Sequence, residues 1–212
     1  MENVTDDWDG ISWTNRFCIS VEDEDIEGTV FQKIPLVAGE NVIFSYDEAN
    51  NAIAINANGG SIGLEYEVFD DCAIVIGLGI CTDLDVVIPE TYQGLPVTAI
   101  SEEAFSGTNI RSLETPGSIE VFGDYVLTGC DNLEKLVIND GPTELGIEMC
   151  VDCSNLRIVR LPTTLDSLPF GVFYDCSALE EIDIPEGTTY LDDCVFSGCT
   201  SLKRVSFPKS LL

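Results

Sequence analysis

Apolar and polar positions along the last two thirds of the chain fall into an order that restarts every 23 residues. Four phrases align without gaps: "LTGCDNL" from Leu127, "CVDCSNL" from Cys150, "FYDCSAL" from Phe173 and "FSGCTSL" from Phe196. "FSGTNI" from Phe105 is an earlier copy, one residue shorter. Each phrase closes on an apolar residue: Ile110, Leu133, Leu156, Leu179, Leu202. Apolar positions two apart follow, at Leu113/Thr115, Leu136/Ile138, Val159/Leu161, Ile182/Ile184 and Val205/Phe207. Period two predicts a short strand with one face inward. Pro89, Pro116, Pro162, Pro185 and Pro208 end these runs, with Asn139 once in their place. Proline donates no ladder hydrogen bond, so it stops a strand and turns the chain. A second apolar pair comes next: Val97/Ile100, Ile119/Phe122, Leu165/Leu168, then the weaker Leu145 and Leu191.

Each unit therefore reads as strand, turn, second short extended segment, and a tight helical turn ending in F-x-x-C-x-x-L. One unit cannot bury its apolar edge alone, whereas stacked units share a continuous core. The predicted fold is a mostly-β repeat solenoid with one β-strand and one short helical turn per coil.

The same register explains "MCVDCSNL" at residues 149–156, which contains a Cys-x-x-Cys. Cys150 stands in the column of Phe105, Leu127, Phe173 and Phe196, and Cys153 in the column of Cys130, Cys176 and Cys199. These are two inward columns three residues apart, in which a free cysteine acts as a small hydrophobe. Zinc needs four ligands, and there is no second such motif and no histidine. Cysteines on neighbouring coils would fall within the roughly 4.4–6.8 Å Cα range of disulfides, but with parallel side chains. Cys18, Cys72, Cys81 and Cys194 lie off the column and receive no assigned pairing.

The array "CSNLRIVRLPTTLDSLPFGVFYDCSALEEIDIPEG", with its lead-in "DVVIPETYQGLPVTAISEEAF", resembles the BspA-like leucine-rich repeats of bacterial surface proteins. The resemblance runs over residues 64–212 and implies a leucine-rich repeat solenoid used for binding and adhesion. Thr108 at the first cysteine position and Cys150 at the aromatic position depart from the pattern.

The N-terminal third differs. "KIPLVAGENVIFSYDEANNAIAINANGG" alternates on both sides of "DEANN", which predicts a β-hairpin. In it Val42, Phe44 and Tyr46 answer Ile53, Ile55 and Ala57 across a turn at residues 47–51. The phrase resembles short hairpins at the bases of phage fibre and appendage proteins. "NGGSIG" reads as a linker, and a second hairpin over residues 64–68 and 73–76 reads as a cap on the first coil. Residues 1–30 form an acidic arm whose Trp8, Trp13 and Phe17 suit a docking segment. Its "TDDWDG" and "VEDEDIEG" fail as calcium loops, because the closing positions are Arg16 and Ile34. The expected organisation is an arm at 1–30, a hairpin anchor module at 31–62, and a solenoid at 63–212 capped by 63–88.

Charge then narrows the function. Nine basic residues stand against 38 acidic ones, a net charge of −29. Such a surface repels phosphate backbones and anionic membranes, so nucleic-acid binding is not expected. No apolar run reaches the roughly 20 residues of a membrane helix, so insertion is not expected either. Without histidine, hydrolase or phosphate-loop motifs, and with no metal cluster, neither an enzyme nor a cofactor is expected. Arg111, Lys135, Arg157, Arg160, Lys203 and Arg204 fall at the entry to, or within, the inner strands. Stacked with Glu114, Glu134, Glu180, Glu181 and Asp183, they form a candidate binding strip or a ladder of ion pairs between coils.

"MENVTDDWDG" has neither the basic nor the apolar region of a secretory signal. The expectation is a bacteriophage virion component assembled in the bacterial cytoplasm, such as a tail fibre, appendage or head decoration. It would contact other virion proteins or its own copies through residues 1–62 and its C-terminal edge, and a host-surface protein or glycan through the array. The alternative is a bacterial cell-surface adhesin.

Overall fold

Period-two alternation becomes short strands in the structure, a computed structural model that describes residues 43–47, 52–56 and 60–211. The chain divides into two compact units, Met1–Ala57 and Asn58–Leu212. In the first, β1 (Ile43–Asp47) and β2 (Ala52–Asn56) pair antiparallel, setting Phe44 opposite Ile55 and Tyr46 opposite Ile53. The acidic arm, Trp8, Trp13, Phe17, Cys18 and the hairpin turn lie outside the described residues.

The second unit is a β-solenoid. It opens with an antiparallel hairpin of β3 (Glu65–Val68) and β4 (Ala73–Gly77). Next come β5 (Asp85–Val87), β6 (Thr91–Tyr92), β7 (Leu95–Ile100), β8 (Ser112–Thr115), β9 (Val121–Phe122) and β10 (Lys135–Ile138). The last strands are β11 (Ile158–Arg160), β12 (Ser167–Leu168), β13 (Glu181–Asp183), β14 (Tyr190–Leu191) and β15 (Arg204–Ser206). On one side of the coils β5, β8, β10 and β11 form a parallel sheet in the order of the repeats, and β13 pairs with β15. Register places Val86, Leu113, Leu136 and Val159 in one line, and Ile182 beside Val205. A second side carries β4, β7 and β9, with β12 paired to β14.

The third side corrects the expected helical turn. Among the described residues no helix forms. The F-x-x-C-x-x-L phrase is a succession of i-to-i+3 turns, such as Ala104 N–H to Ser101 O and Thr108 N–H to Phe105 O. Left-handed residues four apart break each phrase: Glu103/Gly107, Tyr125/Gly129, Glu148/Asp152, Gly171/Asp175 and Cys194/Gly198. Alternate amides then point along the stack instead of along a helix axis. Glu103, Phe105 and Gly107 donate to Asp124, Val126 and Thr128 on the next coil, and Glu148, Cys150 and Asp152 donate to Phe170, Val172 and Tyr174. Turns thus continue the ladder, which satisfies backbone groups that a buried loop would leave unpaired.

The open edge at the start is covered twice. β4 lies parallel to β7 and continues the second side. Ser61 covers β5: its N–H donates to Val87 O at 2.6 Å and its hydroxyl accepts the Val87 N–H at 3.1 Å. Ser61 thus belongs to the cap, because a bare edge strand invites foreign pairing. Phe105, Leu113, Ile119, Leu136, Met149, Cys150, Cys153, Phe173 and Cys176 fill the interior. A buried aliphatic or aromatic side chain of this size contributes about 1.5–3 kcal/mol.

Candidate binding surface on the strand face

The strand side presents three outward columns. At the entry to the strands stand Leu84, Arg111, Glu134, Arg157, Glu180 and Lys203, so charge alternates from Arg111 onward. Amides at these positions donate back along the column, as Glu134 N–H does to Arg111 O and Arg157 N–H does to Glu134 O. The second column runs Asp85, Ser112, Lys135, Ile158, and beyond them Glu181 beside Arg204. The third runs Val87, Glu114, Val137, Arg160, and then Asp183 beside Ser206.

All six candidate cations lie on this side. Arg111 is paired with Asp85, which Ser112 also reaches at 2.8 Å. The Arg111 and Ser112 hydrogen bonds hold the Asp85 carboxyl at about 2, below the ordinary carboxylate range. Lys203 meets Glu180 at 2.7 Å, and Arg204 spans Glu181 and Asp183 at 2.9 Å each. Glu180 is lowered by the Lys203 hydrogen bond, and Asp183 first by Ser206 and also by Arg204. The expected ladder of ion pairs is thus present at both ends of the face. In its middle, Lys135, Arg157 and Arg160 make no ion pair among the described residues. A shallow groove of about 390 Å³ reaches Lys135 and is lined also by Asp85, Arg111, Glu114, Glu134 and Ile158.

Because the Asp85 value is depressed, its pairing favours the folded state above the ordinary carboxylate value of roughly 4 and ceases to do so as pH falls through about 2. The pair is exposed, so the effect on stability is small. Arg111→Gln is expected to move the Asp85 titration midpoint upward, read from its side-chain carboxyl NMR shift. An unmoved midpoint would mean that Arg111 does not hold it.

The turn side has the opposite character. It carries Glu102, Glu103, Asp124, Glu148, Asp152 and Asp175 and, among the described residues, no cation. Glu148 first, then burial and the neighbouring acids, push the Tyr125 phenol upward, as a negative field requires.

The column cysteines are part of the core packing. Cys150 and Cys153 are fully buried, as two inward columns require. Each column cysteine donates its thiol one coil back: Cys130 to Phe105 O, Cys153 to Leu127 O, Cys176 to Cys150 O and Cys199 to Phe173 O, all at 3.1–3.2 Å. Burial pushes Cys130 and Cys199 up to about 11 and raises Cys150 and Cys176 further. A redox or metal-binding thiol needs the reverse shift. Among the described residues no cluster of three or more His, Cys, Asp or Glu could hold a metal ion.

Comparison with known proteins agrees with this geometry. The BspA-type leucine-rich repeat region matches residues 98–212 in six copies. Among curated proteins nothing matches the chain. A leucine-rich repeat protein of T. pallidum superimposes with a TM-score of 0.61 at 22% identity, over 69% of this chain and 81% of its own. A leucine-rich cell surface protein of Faecalibacterium prausnitzii gives a TM-score of 0.63 at 22% identity, over 71% of this chain and 42% of that one. A leucine-rich repeat protein of Eubacterium ventriosum gives 0.58 at 22% identity, over 74% and 48%. These likenesses concern the fold. The stacked coils, their cysteine column and the matched repeats make this chain a member of the BspA-type leucine-rich repeat family.

Proposed function

We propose that the protein is a non-enzymatic binding protein that presents its strand face to a protein or glycan on a cell surface. One observation carries this reading: six of the seven basic residues in the array lie on the strand face, while the turn side is acidic. A solvated acidic exterior alone would scatter the cations over all sides. Solenoids bind along the extended surface that their stacking creates. The likeness to a bacterial cell surface protein favours a surface adhesin.

A second reading keeps the same face but places the protein in a bacteriophage virion, as a fibre, appendage or head decoration. It is favoured by the separate N-terminal unit, whose paired strands β1 and β2 would anchor the array. In this reading residues 1–62 and the edge beyond β15 contact other virion proteins or further copies. Immunogold labelling of a producing bacterial culture decides between them. Gold on cell envelopes is expected. Gold on virus particles selects the virion reading, and gold confined to the cell interior overturns both.

A further inference from the structure

We propose that the middle of the strand face docks a short acidic polypeptide segment in which carboxylates flank an apolar side chain. The inference rests on the strand-face reading and adds the chemistry of the partner.

The chain has 38 acidic residues for nine basic ones, so its cations have carboxylates close at hand. Arg111, Lys203 and Arg204 take them, across neighbouring coils. A purely structural ladder would use every cation in this way. Lys135, Arg157 and Arg160 instead make no ion pair among the described residues. These three surround one residue. Arg157 precedes Ile158 in the chain, Arg160 follows two places on, and Lys135 is its register partner on β10.

Ile158 is 57% exposed, in a column otherwise made of Asp85, Ser112, Lys135, Glu181 and Arg204. Glu134 and Glu180 stand on either side of Arg157 in the entry column, and Glu181 follows Ile158 in its own. But the three cations without an ion pair and the exposed Ile158 lie side by side, and they complement a short segment whose carboxylates flank an apolar side chain. The groove of about 390 Å³ includes Lys135 and Ile158 in its lining, with Asp85, Glu114 and Glu134 farther along it, so only the Lys135–Ile158 part of it suits an acidic segment.

The alternatives fit less well. A sulfated glycan would meet the cations but offers Ile158 no apolar counterpart. A nucleic acid would carry many phosphates into the field of a −29 protein. Screening lengths near 8–10 Å let a few local cations outweigh distant acids only for a short segment. The partner is therefore locally acidic rather than acidic along its whole length.

The test uses the full chain immobilised on a sensor surface. The probe is a synthetic peptide of alternating glutamate and isoleucine, with a lysine–isoleucine peptide and a heparin fragment as comparisons. Wild type is expected to bind the acidic peptide, weakening as salt rises from about 0.05 to about 0.5 M. Arg157→Glu with Arg160→Glu should weaken it at least about tenfold, because both attraction and sign are reversed. Ile158→Ser should weaken it severalfold while leaving the salt dependence unchanged. Lys203→Gln with Arg204→Gln should stay within about twofold. All of these side chains are exposed, so circular dichroism melts should match wild type. Equal losses from both charge pairs would overturn this assignment while the strand-face reading stands. No loss from either pair would overturn both. Heparin binding that depends on Arg157 and Arg160, with no peptide binding, would also overturn the assignment.

Discussion

Gly146→Ala is expected to pull the solenoid apart, at a cost of about 3 kcal/mol or more. A Cβ at Gly146 would fall inside the contact radius of the Gly123 carbonyl oxygen, 2.6 Å from the carbonyl carbon and 3.0 Å from the Asp124 Cα. No flexible side chain can swing aside, because the obstacle is the backbone of the coil before. That backbone is fixed on both sides. Gly123 N–H donates to Ile100 O at 2.8 Å, and Tyr125 N–H donates to Ile147 O at 3.0 Å. The Asp124 carboxylate also accepts the Ile147 N–H at 2.8 Å. Relief requires the two coils to separate, which breaks this ladder. Gly129→Ala is the control. Its Cβ would meet nothing within 4 Å, so only its left-handed backbone, φ +71°, costs anything, about 1 kcal/mol. Thermal melts of the two variants check the difference. Equal losses would mean that the coils yield to the added Cβ at little cost, since Gly146, unlike Gly129, is not in the left-handed region.

That control also marks how far the sequence could be read. The strand columns were legible because period two and a terminal proline recur in register from Leu113 through Val205. The turn side was misread because spacings of three look helical. Half of its signal was present: Gly107, Gly129, Asp152, Asp175 and Gly198, just before the cysteine position, are residues that tolerate the left-handed region. The other half was silent. Glu103, Tyr125 and Glu148 adopt the same conformation, held by hydrogen bonds to the next coil and not by any preference of their own, and Cys194 adopts it on the last coil.

The binding face shows the same division. The six cations could be placed on one side from their columns alone. Asp85 escaped notice because the lead-in coil is longer, with 27 residues between it and Ser112 instead of 23. Ile158 escaped because an outward apolar residue looks like part of the strand's own apolar run. Which cations find partners depends on reach across coils, and no repeat pattern encodes that. Arg204 spans two carboxylates, whereas Arg160, on β11, stands where the sheet stops short of β13.

Phe173→Ala is expected to lower stability by about 3–5 kcal/mol and the melting temperature by about 10 °C. Phe173 is fully buried and stacks on Phe196, ring centres 5.9 Å apart and planes 4° from parallel. Its backbone would still serve the ladder, because its N–H donates to Val195 O and its carbonyl accepts the Cys176 N–H and the Cys199 thiol. The loss is thus one of packing alone. In a stacked array each coil contacts only its neighbours, so the damage should stay local. Amides of β13, β14 and β15 should exchange faster, while those of β8 and β10 keep their protection. Phe196 is only half-buried, so Phe196→Ala should cost clearly less. Uniform loss of protection along the array would show that the coils unfold as one cooperative block. A melting shift under about 3 °C would show that the aromatic column does not carry the core here. The acidic turn side and the mixed strand side both hang on this column, so a loosened column should also blur the spacing that sets Arg157 and Arg160 around Ile158.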